Sequence, residues 1–304
     1  MKIFMTGGTG FVGSYLTRQF AAAGHEVSVL TRSVRSGRGL PPGAVFIQGD
    51  PTRPGPWQEQ VGAHDAVINL AGTSIFNVWT AKNRQSIIDS RVLTTRNVVD
   101  ALAKRTAPAT TLISASAIGY YGGRTDDVIF DEDSPAGRDF LSEVGVRWEA
   151  EAVKAEQHGV RVAIARFGII LGRGGGALDK MLPAFKKCLG SSLGSGKQWF
   201  SWIHEKDLYN IMAFLLEQQL SGPFNCTAPE PVTNKDLSRT LAAVLGCPLI
   251  MPSVPGFILK TILGDFGDVV LKGQRVLPKR LLAAGFNFAF PTLREALQDL
   301  TQPN

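Results

Sequence analysis

Residues 1–16 read MKIFMTGGTGFVGSYL, with four glycines in seven positions between an apolar run and an amphipathic one. The run at 2–6 (KIFMT) predicts a buried strand, and the spacing of apolar residues over 11–23 predicts a helix. The residues that share one face of that helix are Phe11, Val12, Tyr15, Leu16 and Phe20. Gly24 follows in the place where a glycine commonly ends a helix. The stretch therefore predicts a strand, a glycine-rich turn and a helix.

The glycines of this turn have the spacing Gly7-x-x-Gly10-x-x-Gly13. Glycine permits a tight turn and lets backbone N–H groups approach a pyrophosphate, while the helix N-terminus favours the phosphate charge. The context of strand, turn and helix makes a dinucleotide site the favoured interpretation over a purely structural turn. The candidate cofactor-binding residues in this turn are Gly7, Thr9, Gly10, Phe11, Val12 and Gly13.

The end of the second predicted strand, 26–31 (EVSVLT), indicates which dinucleotide is preferred. Sites that prefer NAD place an acidic residue there to bind the ribose 2′-OH. This chain has Thr31-Arg32-Ser33 instead, and the guanidinium of Arg32 suits a phosphate. We therefore expect NADP as the cofactor, with Arg35 and Arg38 as additional candidates. The alternative is that Arg32 is a solvated loop charge.

Strands and helices alternate along the first half of the chain. Further strands are predicted at 44–48, 65–70, 110–115 and 161–171, and helices near 79–104 and 140–158. Such alternation predicts a parallel sheet covered on both faces, and right-handed crossovers make it doubly wound. The predicted fold class is α/β, a Rossmann-type doubly wound parallel sheet with a smaller, mainly helical C-terminal part.

The alternation stops near residue 172, where glycine clusters and proline-rich stretches separate short predicted helices such as 206–218 and 234–245. We expect an NADP-binding Rossmann domain at 1–171 and a smaller substrate or cap domain at 172–304. Strands near 199–203 and 223–227 are expected to rejoin the first domain.

The composition limits the classes of partner. The chain has 304 residues and a net charge of +6, but its basic residues are scattered, which disfavours nucleic acid and fits an anionic cofactor or substrate. No apolar run is long enough to span a membrane, and the N-terminus does not resemble a signal peptide. We expect a cytoplasmic protein, a monomer or homodimer. Cys188, Cys226 and Cys247 lack metal-ligand spacing and are expected to be buried free thiols.

Five motifs in order, TGGTGFVG (6–13), GDPTR (49–53), NLAG (69–72), SASAIGYYG (114–122) and RFGIILG (166–172), give the chain a family resemblance. The chain resembles an extended short-chain dehydrogenase/reductase of the NAD-dependent epimerase/dehydratase type. The later segments FSWIHEKDL (200–208), FNCTAPEPVTN (224–234) and LPKRLLAAGFNF (277–288) resemble an atypical subgroup often labelled nucleoside-diphosphate-sugar epimerase or cell-division inhibitor.

This resemblance implies positions for further cofactor-binding residues. Asp50 and Pro51 would lie near the adenine, and Leu70, Ala71 and Gly72 would lie along the cofactor. The segment from Arg166 to Gly168 would lie near the nicotinamide end.

Active members of the superfamily that the chain resembles use a Ser or Thr, a Tyr and a Lys four residues after that Tyr. The Tyr exchanges a proton with the substrate while the cofactor exchanges hydride, and the Lys lowers the pKa of the Tyr and binds the nicotinamide ribose. Ser116 matches the hydroxyl residue. The segment expected to carry the pair, FLSEVGVRWEAEAVKAE (140–156), has no tyrosine, and Val144 and Trp148 stand at the right spacing without titrating. The candidates for a displaced proton donor are Tyr120, Tyr121, Glu143 and Glu149, with Ser116 and Tyr120 as the favoured catalytic residues.

Three interpretations therefore remain open. The chain is an NADP-dependent reductase or epimerase acting on a carbonyl or sugar-like substrate, a catalytically silent cofactor-binding sensor or partner-binding protein, or a structural protein. Trp199, Trp202 and His204 could line a substrate pocket or stabilise the fold. The polar segment with Asn77, Trp79, Lys82, Arg84 and Arg91 indicates either an anionic substrate or a solvated helix face.

Overall fold

The computed structural model describes residues 1–33, 41, 44–76, 78–105 and 110–302, and of Leu263 only the backbone. Its strands are β1 (Lys2–Thr6), β2 (Glu26–Thr31), β3 (Val45–Gln48), β4 (Ala66–Asn69), β5 (Thr111–Ala117), β6 (Ile129–Phe130), β7 (Arg161–Phe167), β8 (Ile169–Leu171), β9 (Trp199–Phe200), β10 (Trp202–His204), β11 (Gly222–Cys226), β12 (Val232–Thr233) and β13 (Arg275–Val276).

The helices are α1 (Phe11–Ala22), α2 (Gln58–Val61), α3 (Ala81–Leu102), α4 (Phe140–Val153), α5 (Gly176–Lys186), α6 (Glu205–Glu217), α7 (Asn234–Val244), α8 (Gly256–Leu263), α9 (Phe266–Leu271), α10 (Lys279–Ala283) and α11 (Leu293–Thr301). Gly24 follows α1 with a φ of 84°, the left-handed conformation that a helix-ending glycine supplies. Among the described helices, none has the length and apolar character needed to cross a membrane.

Seven strands form one parallel sheet in the order β3-β2-β1-β4-β5-β7-β11. The chain runs from β1 outward to β3 and then crosses back to add β4 on the other side of β1. This arrangement confirms the predicted α/β, doubly wound class. The reversal between β1 and β4 opens a crevice at the carboxyl ends of these strands, where sheets of this type bind ligands.

Both faces of the sheet are covered by helices, because successive side chains of a strand point to opposite faces. Ile3 and Met5 pack in a core with Leu16 and Phe20 of α1. Phe4, between them in sequence, packs in a separate core that includes α3 and α4 residues such as Val98 and Ala152. The apolar run of β1 is therefore buried on both sides.

The C-terminal part has a core of its own, which contains Trp202, Leu237, Leu241 and Leu297. β11 lies at one edge of the large sheet, beside β7. The segment near 199–203 lies outside that sheet, where β9 pairs with β12 and β10 pairs with β8. The predicted run 161–171 is divided at Gly168. The N–H of Gly168 donates to the carbonyl oxygen of Cys226 at 3.0 Å, whereas the N–H of Ile169 donates to that of Ser201 at 2.9 Å, and β8 then pairs with β10 outside the large sheet.

The cysteines differ from the expectation of free, buried thiols. Cys188 and Cys247 are joined by a disulfide, and both are only partly buried. They lie 59 residues apart in sequence, just after α5 and α7, and the packing of the C-terminal core brings those helix ends together. Cys226 is free and fully buried, and burial raises the pKa of its thiol. The prediction was wrong for the pair because sequence spacing carries no information on such long-range contacts.

Candidate functional site

The glycine turn after β1 is closed by the chain itself at two positions. Gly7 has a φ of 69°, and a Cβ there would lie 2.9 Å from the backbone nitrogen of Ala71. A Cβ on Gly13 would lie 2.7 Å from the Cα of Gly8 and would overlap the carbonyl oxygen of Gly7. These two glycines are therefore required by the fold of the turn and by the close packing of α1 on β1.

Gly10 differs, because it is exposed and its missing side chain leaves open space. Its φ of −78° suits any residue, and a Cβ would meet only the carbonyl oxygen of Gly7, at 3.3 Å. Gly10 is the N-cap of α1, and no side chain caps that helix end. The first N–H groups of a helix have no intrahelical acceptor, so the turn offers donors and an unobstructed approach to an anion.

Phe11 connects this turn to the C-terminal part. Its ring packs against the glycine-rich loop at 172–176, where a Cβ on Gly176 would lie 2.8 Å and one on Gly172 would lie 2.9 Å from ring carbons. Thr9 and Val12, the other predicted residues of the turn, are partly exposed. The loop thus closes one side of the cleft at the start of α1.

A buried polar network holds the segment after β4 against the glycine turn. The hydroxyl of Thr6 donates to Oδ1 of Asn69 at 2.7 Å and accepts from the backbone N–H groups of Leu70 and Ala71, each at 3.2 Å. The amide of Asn69 donates to Oγ1 of Thr95 at 2.9 Å. These bonds fix the backbone at 69–71 along the crevice between β1 and β4.

Arg32 and Asp50 lie at the other end of the cleft. Arg32 is exposed directly after β2. Asp50 accepts hydrogen bonds from the hydroxyl and the N–H of Thr52, at 2.7 and 3.0 Å. Burial alone would raise the pKa of Asp50, but the Thr52 bonds and the charges of Arg32 and Arg53 hold it below its ordinary value. Arg35 and Arg38 lie outside the described residues.

Ser116, Glu149 and Arg166 form one buried cluster at the carboxyl ends of β5 and β7. The Ser116 hydroxyl donates to Oε1 of Glu149 at 2.6 Å. Nε and Nη2 of Arg166 donate to the two carboxylate oxygens of Glu149, each at 2.8 Å. Burial would lower the pKa of Arg166, but its bonds to the Glu149 carboxylate raise it above the ordinary value. The Ser116 proton is therefore directed at a carboxylate.

The adjacent tyrosines have different environments. Tyr121 is buried, donates to Oδ1 of Asn225 at 2.7 Å and accepts from Nη1 of Arg166 at 2.9 Å. Burial raises the pKa of Tyr121 to about 12, although Arg166 opposes this rise. Tyr120 is partly exposed, and its ring centroid lies 3.7 Å from Cζ of Arg166. Of the two tyrosines, Tyr120 is the more exposed.

The other positions considered for acid–base chemistry carry either an apolar side chain or a side chain that forms an ion pair. Val144 and Trp148 are buried at the positions where the family's Tyr and Lys would stand. Glu143 is exposed and forms an ion pair with Arg147 at 3.2 Å. Gly168 is tightly packed rather than open to the cleft.

The aromatic residues near 200 have structural contacts. Trp199 donates to Oδ1 of Asp127 at 2.9 Å, and Trp202 donates to the carbonyl oxygen of Glu230 at 3.1 Å. His204 caps α6 by accepting from the N–H of Lys206. Asn77 lies outside the described residues. Within the described part of the chain, no cluster of three His, Cys, Asp or Glu side chains could bind a metal ion.

Comparisons with known proteins identify the family of the chain. The family model described as "NAD dependent epimerase/dehydratase family" matches residues 3–226. The chain belongs to this family. Residues 254–300 also match a domain of unknown function, DUF1731.

The relatives share the whole length of the chain. The chain is 41% identical to the Arabidopsis thaliana protein "Epimerase family protein SDR39U1 homolog, chloroplastic", over 99% of this chain and 87% of that protein. It is 39% identical to the Bacillus subtilis epimerase family protein YfhF, over 99% and 98%. The crystal structure of human epimerase family protein SDR39U1 with NADPH is 33% identical, with a TM-score of 0.85 and 99% of both chains covered.

Proposed function

We propose that this chain binds NADP(H) in the cleft between β1 and β4 and uses it for reductase or epimerase chemistry on a small carbonyl or sugar-like substrate. The observation that carries the proposal is the exposed Gly10 at an uncapped helix N-terminus, beside glycines that the fold itself requires. The human family member solved with NADPH supports it.

The preference for NADP(H) over NAD(H) rests on the end of β2. The chain has Arg32 and Ser33 there, and both are exposed. A guanidinium attracts the 2′-phosphate of NADP, whereas no carboxylate stands in this position to accept from a 2′-OH. Asp50, held ionised near Arg32, lies at the end of β3 where the adenine would bind.

When bound, the cofactor would supply or accept a hydride at the substrate carbon. We assign the accompanying proton to Tyr120, because it is the tyrosine whose side chain is partly exposed at this edge of the sheet. In reduction, the Tyr120 hydroxyl would give its proton to the carbonyl oxygen of the substrate, and solvent would then restore the proton to Tyr120. Ser116, bonded to Glu149, is then positioned to accept a hydrogen bond from a substrate hydroxyl.

Two observations favour a second candidate function, a catalytically silent NADP(H)-dependent sensor. The Ser116 proton is directed at Glu149, and Val144 and Trp148 occupy the positions of the usual acid–base pair. In a protein of this kind, cofactor binding would change the stability of the protein or its affinity for a partner, and no hydride would be transferred.

A panel of aldehydes, ketones and nucleotide sugars, with NADPH absorbance as the readout, separates the two functions. We expect turnover with at least one carbonyl compound. The Tyr120→Phe variant should be slower by about 10²- to 10⁴-fold, with unchanged NADPH affinity, because it removes a general acid and leaves the cofactor cleft intact. Tyr209→Phe, which lies on α6 and packs against Phe20, is the matched control. Tight NADPH binding without any turnover would favour the sensor.

A further inference from the structure

Arg91 is a partly buried cation whose partners differ from those of other arginines on α3. Arg84 pairs with Asp265 at 2.7 Å, and Arg96 pairs with Glu151 at 3.1 Å. Across the residues that the structure describes, no carboxylate pairs with Arg91, and its Nη1 donates to the carbonyl oxygens of Thr73 and Ile87, each at 3.1 Å. A buried charge without a counter-charge is costly, so this arrangement calls for an anion.

The guanidinium of Arg91 lies at the wall of the cofactor cleft. A Cβ on Gly72 would lie 3.0 Å from its Cζ, so the cation is packed directly against the Gly72 backbone. Gly72 is exposed and follows Ala71, whose backbone nitrogen contacts the glycine turn at Gly7. Arg91 is thus separated from the turn that binds phosphate by two residues of backbone.

The Nε–Nη2 edge of Arg91 carries no hydrogen bond to any described residue. Arg166 uses this same edge to bind both oxygens of Glu149. A planar guanidinium edge of this kind matches two oxygens of a phosphate or carboxylate.

The indole ring of Trp148 lies against the guanidinium of Arg91. Cζ of Arg91 lies 5.2 Å from the centroid of the indole ring, within the range of a cation–π contact. The indole N–H of Trp148 is buried and has no acceptor in the described part of the chain, which adds a second unsatisfied donor. Burial lowers the pKa of Arg91 to about 10, in agreement with a desolvated cation.

We propose that the open edge of the Arg91 guanidinium binds a phosphate-type oxyanion in the cleft. The assignment of the cleft to a cofactor rests on the proposed function. Two sources could supply the oxyanion: the pyrophosphate of NADP(H), or a phosphate group on the substrate.

The test measures inorganic pyrophosphate binding by isothermal titration to the full chain, with and without saturating NADPH. We expect Arg91→Gln to weaken pyrophosphate binding by about ten- to hundredfold, because a charge-assisted bond pair is lost. Arg147→Gln removes the same charge at an exposed ion pair on α4 and should leave binding unchanged. Arg91→Lys keeps the charge but not the planar edge, so it should fold normally and still bind more weakly than wild type.

The NADPH arms distinguish the sources. If the cofactor supplies the oxyanion, Arg91→Gln also weakens NADPH binding, and NADPH-saturated protein no longer binds pyrophosphate. If the substrate supplies it, NADPH affinity is unchanged and the saturated protein still binds pyrophosphate through Arg91. A wild type that binds pyrophosphate through Arg91 but never binds NADPH would refute the proposed function and retain this site. Arg91 variants that are folded and bind both pyrophosphate and NADPH like wild type would overturn it, as would a wild type that binds neither.

Discussion

Two substitutions in the glycine turn, Gly10→Val and Gly13→Ala, distinguish the role of a glycine in NADPH binding from its role in folding. In Gly10→Val, the residue keeps a φ of −78°, which suits any residue, and its Cβ meets only the Gly7 carbonyl oxygen, at 3.3 Å. The loss of a glycine N-cap should cost about 1 kcal/mol of unfolding free energy or less. The side chain would occupy the space that a pyrophosphate needs, and we expect NADPH affinity to fall at least about 100-fold, or about 2.7 kcal/mol.

Gly13→Ala is the matched comparison. Its Cβ would lie 2.7 Å from the Cα of Gly8, so α1 must move away from β1 or the turn must open. Overpacking against backbone costs about 1–3 kcal/mol or more, which makes this smaller substitution the more destabilising of the two.

Thermal melts and titration calorimetry measure both effects on the same samples. At about 100 times the dissociation constant, NADPH adds about 2.7 kcal/mol of stability to wild type, a shift on the order of 4 °C for a chain of this size. Gly10→Val should melt near wild type without NADPH and shift by about 0.6 °C or less with it. Retained NADPH affinity in Gly10→Val, or wild-type stability in Gly13→Ala, would refute the assignment of these glycines.

Three further predictions concern charge. Glu149→Ala leaves the Arg166 cation, 4% exposed, without its carboxylate and should lower the unfolding free energy in urea by about 3–5 kcal/mol; a loss below about 1 kcal/mol would contradict the buried pair. Burial lowers the pKa of His204 to about 4, while Asp299 opposes the shift, so the unfolded chain binds the proton first. Stability should therefore fall as pH drops from about 6.5 to about 4, and His204→Asn should flatten this fall; an equal slope in the variant would show that other groups cause it. Arg32→Glu should weaken NADPH and strengthen NADH binding in titrations, and unchanged selectivity would assign Arg32 to solvent.

The sequence was sufficient for features that depend on local pattern. The apolar run of β1, the glycines after it and the 3.6-residue spacing of α1 lie within 24 residues, and each fixes its own conformation. The alternation of strands and helices then leaves few topologies, which is why the class of the sheet could be predicted.

Features that depend on distant contacts could not be predicted in the same way. The bond between Glu149 and Arg166 joins α4 to β7 across the edge of the sheet. The sequence predicted Glu149 as a candidate proton donor and Arg166 as a cofactor-binding residue, but it did not predict that the two form a pair. The break between β7 and β8 likewise involves a distant group, the Ser201 carbonyl oxygen, to which the N–H of Ile169 donates. A signal for the first pair did exist, since a glutamate on a core-facing helix and an arginine inside an apolar strand both need a partner.

The central claim is tested most directly by titrating NADPH and NADH into wild-type protein under identical conditions. The geometry of the glycine turn and the charge of Arg32 predict that both bind in one site and that NADPH binds more tightly. Equal affinities, tighter binding of NADH, or no binding of either would contradict the claim.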